Sequence, residues 1–421
     1  MDKKEAMKKI KPIIQEYFNS NDFTESSKIK LVVPSYGEHE VLEVIDSLLS
    51  TYVTMGEKVY SFEEQFSKYI GCKYATMVNS GSSANLLALQ ALANPTLENP
   101  IKPGDEIITT SLTWSTSVFP IFDINAIPVF VDVNKDSLTI DVKQLETALT
   151  SKTKAVLAVH LLGHPCQMDV LVDFCEKNDL YLIEDCCEAH GAEWNGKKVG
   201  SFGHISTYSF FFSHHISTIE GGIVLTNIDE INQLLKSLRA HGWIRERNDK
   251  TELARKYNHI DPRFLFVNKG YNLRPTEIQG AFGIHQLKKL ETFLKIREEN
   301  AKFWIDNLEE YRKFIHIPKI EENIRHAWFG FPIIISEKAG FKRENFVKHL
   351  EKNNIETRPI MAGNIIEQPA MNYYKWKQIG PLENSSRIMK NGFFFGNHSG
   401  IKQKEREYIL KIIQSFLDHY I

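Results

Sequence analysis

Residues 154–186, KAVLAVHLLGHPCQMDVLVDFCEKNDLYLIEDC, hold two short apolar runs with an amphipathic stretch between them. KAVLAVH (154–160) and LYLIEDC (180–186) have strand length and aliphatic content, whereas MDVLVDFCEKN (168–178) repeats its apolar residues at helical spacing. The same alternation continues upstream, with SSANLLALQALA (82–93) helical and EIITTS (106–111) and IPVFVDV (127–133) as buried strands. Alternation of this kind predicts an α/β fold in which helices cover both faces of one sheet.

Outward from this unit the pattern changes twice. IKPIIQEYF and VLEVIDSLLSTYV have apolar spacings of three and four, separated by the polar SNDFTESSKIK, which predicts an N-terminal helical arm over residues 1–50. A long helical pattern starting between Arg274 and Glu277 and running through HQLKKLETFLKIREENAKFWIDNL bridges to a second unit. That unit carries a strand-like HAWFGFPIII, the helix ENFVKHLEKN, a short RPI strand and the closing helix EREYILKIIQSFLDHY. The expected division is an arm (1–50), a large α/β domain (51–295) and a smaller C-terminal α+β domain (296–421).

Composition excludes several classes of function. The chain has 421 residues, 42% of them hydrophobic and 25% charged, with a formal net charge of -2, so neither a nucleic-acid stripe nor a disordered tail is expected. The charged N-terminus is unlike a signal peptide and no stretch approaches the ~20 apolar residues of a membrane span. A cytoplasmic protein with no membrane association is expected. Cys72, Cys166, Cys175, Cys186 and Cys187 are too irregularly spaced for a disulfide framework or a metal cluster, so reduced thiols and no metal site are expected.

Candidate chemistry gathers in a few segments. NSGSSANLL (79–87) puts glycine and hydroxyl residues before a helix, where free amides can hold a phosphate, although a serine-rich helix cap has the same pattern. Asp185 ends the apolar strand LYLIED, the place where open α/β sheets bind ligands; it could equally cap the next helix. Trp114 follows another strand, and a lone tryptophan there suits core packing as well as stacking on a ligand. SFFFSHHISTIEGG (209–222) contains the neighbouring His214 and His215, either structural or proton-transferring.

Taken together and in order, NSGSSANLL, TSLTWS, IEDCCEAHGA, STYSFFFSHH, IEGGIVLTN and GYNLRP resemble the pyridoxal-phosphate-dependent nucleotide-sugar aminotransferases and dehydratases of fold type I, over about residues 30–420. The resemblance implies an aspartate-aminotransferase-like fold and a pyridoxal or pyridoxamine phosphate cofactor. His214 stands where the aminotransferases carry the lysine that binds the cofactor aldehyde. An imidazole moves protons but cannot hold an aldehyde covalently, so dehydration rather than net amino transfer is implied. HAWFGFPI, RPIMAGN and FFFGNH are most similar to the branch that removes the C3 hydroxyl of a 4-keto-6-deoxyhexose, with a GDP-linked 4-keto-6-deoxymannose favoured and L-glutamate as amino donor, in deoxysugar formation for O-antigen lipopolysaccharide of the colitose type.

By the same resemblance, Asp185 would hold the pyridinium nitrogen, Trp114 would stack on the ring and Glu188 would lie near the ring oxygen. Gly81, Ser82 and Ser209 would bind the phosphate. Asn272, in GYNLRP, would reach the phosphate of a neighbouring subunit, which implies a homodimer with shared active sites. Arg245 and His215 would meet the substrate. A similar CDP-sugar dehydrase subgroup carries an iron-sulfur cluster, but HGWIRERNDKTELARKYNHIDPRF contains no cysteine here, so no cluster is expected. A lysine-dependent sugar aminotransferase, a CDP- or dTDP-sugar dehydratase and a non-catalytic sugar-binding relative remain as alternatives.

Overall fold

The computed structural model describes residues 1–21 and 28–421. Most of the polar SNDFTESSKIK stretch therefore lies outside the described residues. The two N-terminal helical patterns form Lys3–Ser20 and Glu38–Leu49, the first capped by Asp2, whose side chain accepts the Glu5 amide. A third helix, Glu57–Ile70, follows and buries Val59, Phe62, Phe66 and Ile70 on one face.

Eight strands form the large sheet, in the order Tyr74–Val78, Gly222–Thr226, Ile205–Ser209, Tyr181–Asp185, Thr153–Val159, Glu106–Thr110, Ile127–Val131 and Lys377–Gln378. Only Gly222–Thr226 runs against the rest, pairing antiparallel with both neighbours, while the other pairings are parallel. The central strands are buried on both faces, as parallel sheets require, which explains the apolar run AVLAV (155–159), while Ile205–Ser209 is equally buried with the sequence ISTYS. Helix Gly81–Leu92 lays Ala84, Leu87, Ala88 and Ala91 on the sheet. Helix Met168–Lys177 buries Met168, Leu171, Phe174 and Cys175 against the other core cluster of the sheet. Cutting the fully buried Leu87 to alanine would remove about 2–5 kcal/mol of stability.

The bridging helix is Glu277–Asn307, continuous across the boundary expected between residues 295 and 296. Its first residue is structural: the Glu277 carboxylate accepts the amides of Gly56 (2.7 Å) and Lys58 (2.8 Å) at the start of the 57–70 helix. Beyond it, Ile315–His316, Gly330–Ile335, Gly392–Gly396 and Thr357–Pro359 form a four-stranded antiparallel sheet. Helices Arg343–Lys352 and Gln403–Leu417 close this core around Trp304, Phe331, Phe346, Phe393 and Phe395.

Two elements depart from the sequence reading. HAWFGFPIII is strand only from Gly330, because Trp328 turns into the left-handed region at φ 51 and breaks the extended run. The C-terminal unit also lends Lys377–Gln378 to the edge of the large sheet, a two-residue strand without an apolar pattern to announce it.

Candidate active site

The parallel strands all end on one edge of the large sheet, and the segments that follow them carry the candidate residues. The antiparallel strand brings Gly222 to the same edge, opposite both Val78 and Ser209. Sequence-distant residues therefore converge because the strands run the same way.

The first feature is a tight glycine cradle. Ser80 caps the 81–92 helix by accepting the Ser83 amide at 3.1 Å. A Cβ on Gly81 would lie 2.3 Å from the Ser209 Cβ, and one on Gly222 would lie 2.2 Å from the Ser80 carbonyl oxygen. Only glycine fits at these two points. The free amides of the helix start thus sit against the Ser209 hydroxyl, with exposed Ser82 in the first turn, a geometry suited to a phosphate.

Asp185 ends the central strand, buried to 5% exposure. One carboxylate oxygen accepts from the Asn85 amide (2.9 Å) and the Ser117 hydroxyl (2.7 Å), and the other from the Cys187 amide (3.1 Å). Neutral donors orient the anion, and among the described residues it forms no ion pair. A protonated ring nitrogen is a fitting partner for such a carboxylate. Trp114 stands at the N-cap of the Ser115–Asp123 helix with 56% of its surface exposed, unusual for a tryptophan that follows a buried strand.

Glu188 accepts the Leu162 amide at 2.7 Å. Burial, with a further contribution from the nearby Asp185 charge, pushes its carboxyl up to about 8. Leu162 itself is left-handed, at φ 52.

His214 follows the exposed Phe211 and Phe212, its amide bonded to the Phe211 carbonyl at 3.0 Å. The ring is part-exposed, but Nδ1 is shielded from solvent and has no partner. Phe329 packs against the ring at 5.3 Å between centroids and His190 at 6.0 Å. Burial and then the Arg297 charge push His214 down to about 3, so the imidazole is neutral in the cofactor-free chain.

The structure separates other candidates from this cluster. His215 is buried at 1% exposure, and its Nε2 hydrogen bonds the Ala327 carbonyl oxygen at 2.8 Å. It supports the wall behind His214 through this bond. Asn272 and Arg245 line an open cavity of about 1110 Å³ that includes none of His214, Asp185 or Ser209. Arg245 lies over the Trp243 ring at 4.7 Å, and Asn272 accepts a hydrogen bond from Arg274 Nε at 3.1 Å. Among the described residues, one group with metal-ligand chemistry converges: His160, Glu184 and Cys186, within 4.8 Å. Glu184 already accepts the amides of Gly200, Phe202 and Gly203, and His160 Nδ1 accepts the Cys166 amide, so these lone pairs are committed within the chain.

Sequence reasoning missed Asn85, Ser117 and Phe329. Asn85 had a signal: a buried polar residue between Ala84 and Leu87 on a helix otherwise apolar toward the sheet. The cradle, the buried carboxylate and the exposed tryptophan on one edge fit a phosphorylated pyridine.

The family model for the DegT/DnrJ/EryC1/StrS aminotransferases matches residues 34–414. The chain is 40% identical over 372 residues to a GDP-4-keto-6-deoxy-D-mannose 3-dehydratase of Yersinia pseudotuberculosis, covering 87% of this chain and 93% of that protein. A solved GDP-4-keto-6-deoxymannose 3-dehydratase variant with bound GDP-perosamine superposes with a TM-score of 0.86 at 37% identity, covering 91% of this chain and 100% of the other. Another structure of a GDP-4-keto-6-deoxymannose 3-dehydratase, with a trapped PLP-glutamate geminal diamine, gives a TM-score of 0.84 at 36% identity, again covering 91% and 100%. The chain belongs to the DegT/DnrJ/EryC1/StrS aminotransferase family.

Proposed function

We propose that the protein is a pyridoxamine-phosphate-dependent 3-dehydratase of a nucleotide-linked 4-keto-6-deoxyhexose, with GDP-4-keto-6-deoxymannose as substrate. This reading is carried by the Gly81–Ser209 cradle and the buried Asp185 on one sheet edge, followed in the chain by His214, which by the resemblance takes the place of the cofactor-binding lysine. The cofactor, when bound, supplies an amine for the C4 ketone and a ring that accepts electrons as the C3 hydroxyl leaves.

The chain's own residues bind, orient and move protons. Gly81, Ser82 and Ser209 hold the phosphate, Asp185 keeps the ring nitrogen protonated, Trp114 covers the ring and Glu188 lies near the ring oxygen. His214 accepts a proton and, once charged, donates it to the departing hydroxyl. Without a lysine amine to recapture the cofactor, the deoxygenated product leaves and loses ammonia to water. The net reaction converts the 4-keto-6-deoxy sugar and L-glutamate into a 4-keto-3,6-dideoxy sugar, 2-oxoglutarate and ammonia, which balances in atoms and electrons.

Asn272 acts in this reading from the partner subunit of a homodimer, which accounts for its place on a cavity apart from His214 in its own chain, and Arg245 on the same cavity contacts the substrate. No helix among the described residues is long and apolar enough to cross a membrane, and a cytoplasmic role in O-antigen deoxysugar formation of the colitose type completes the proposal. The test is product analysis with GDP-, CDP- and dTDP-linked 4-keto-6-deoxyhexoses in the presence of glutamate. Deoxygenation at C3 of the GDP sugar supports the reading; a 4-amino sugar that keeps its C3 hydroxyl would overturn it.

A further inference from the structure

A guanidinium without a carboxylate partner lies behind the His214 wall. Arg297 is buried on the 277–307 helix at 4% exposure, and among the described residues it forms no ion pair. Its Nη1 donates instead to three backbone carbonyls, those of Trp328 (2.9 Å), Phe329 (3.0 Å) and Asn397. Trp328 is left-handed, a conformation that a bulky residue keeps only where its surroundings hold it. From the opposite side, the Leu162 and Gly163 carbonyls accept the amides of Phe329 (3.0 Å) and Ala327 (2.9 Å). The segment 327–329 is thus clamped between the long helix and the loop that Glu188 fixes through Leu162. From this segment the Phe329 ring packs on His214 and the Ala327 carbonyl holds His215.

We propose that Arg297 is a positioning residue for His214: by gathering the carbonyls of Trp328 and Phe329 it fixes the ring and backbone that pack on the imidazole. This rests on the reading of His214 as the base. The guanidinium has a second effect through its charge. The ionisable groups facing His214 are Arg297, His190 and His215, while Phe211 and Phe329 present only rings. None is acidic, so the surroundings disfavour a protonated imidazole before the substrate arrives.

The decisive variants are Arg297→Gln and Arg297→Lys, checked for folding by thermal melting and for cofactor uptake by absorbance. Arg297→Gln should lower kcat about tenfold or more while KM changes less than about twofold, since a misplaced base affects chemistry before binding. Arg297→Lys, which retains charge and donors, should recover part of the loss. The His214 resonance of histidine-labelled protein, identified by its absence from His214→Asn, should titrate at higher pH in Arg297→Gln than in the unaltered protein. If Arg297→Gln does not fold, Phe329→Leu tests the same link without disturbing the guanidinium and should lower kcat at constant KM. Unchanged kcat in either folded variant, or an unmoved His214 titration in Arg297→Gln, overturns the proposal. An active His214→Asn protein would instead overturn the underlying assignment of the base.

Discussion

Replacing Glu188 with glutamine should stabilise the protein while impairing its reaction. An ordinary glutamate ionises near 4.5, whereas the position of Glu188 moves this to about 8. The folded chain therefore retains a proton that the unfolded chain has already released, and folding stability falls as pH rises from about 4.5 to about 8. At 1.36 kcal/mol per tenfold, the cost is about 3 kcal/mol at pH 7 and under about 1 kcal/mol at pH 5. Glutamine carries no titrating proton and keeps an oxygen for the Leu162 amide, so Glu188→Gln should be more stable by about these amounts at each pH. Urea unfolding of the cofactor-free proteins at pH 5, 6, 7 and 8 measures the gap directly. The gap must widen with pH while turnover of the variant drops. A gap independent of pH, or a variant less stable at pH 8, would refute the reasoning.

Asp185→Asn should keep the cofactor bound through its phosphate but lose kcat about a hundredfold or more, because an amide does not sustain a protonated ring nitrogen; equilibrium binding and turnover measured on one preparation check this. His214→Lys should stop dehydration and let borohydride fix pyridoxal phosphate to the chain, detected as a mass increase on the peptide containing residue 214. Mixing inactive His214→Asn with inactive Asn272→Ala protein should restore part of the activity as subunits exchange, since one site of each mixed dimer then has both residues. No recovery after exchange is confirmed would count against a shared site.

The main strands were legible because parallel strands buried on both faces are largely apolar, as AVLAV (155–159) and LYLI (180–183) are. The long bridging helix was legible from its start near Glu277 and its length. Less legible were features made by contacts between distant segments. The turn at Trp328 depends on Arg297 and Gly163, so HAWFGFPIII reads locally as one strand. Lys377–Gln378 joins the sheet through backbone pairing with Val129 and Phe130, for which its polar side chains give no signal. In the site, His214, Asp185 and the NSGSS segment stand out as motifs, whereas Asn85 and Ser117 gain meaning only when folding brings both to the Asp185 carboxylate. His215 shows the converse, since its neighbour in sequence is part-exposed while its own ring is buried and bonded to the Ala327 carbonyl.

The most direct measurement is carbon-13 NMR of the product formed from GDP-4-keto-6-deoxymannose, L-glutamate and pyridoxamine phosphate, with the unaltered protein and with His214→Asn. The unaltered protein should convert C3 from a hydroxyl-bearing carbon to a methylene and release one 2-oxoglutarate per sugar, while His214→Asn binds cofactor and leaves the sugar unchanged. Accumulation of a 4-amino sugar with its C3 hydroxyl intact, or full deoxygenation by His214→Asn, would contradict a dehydratase that works through this histidine.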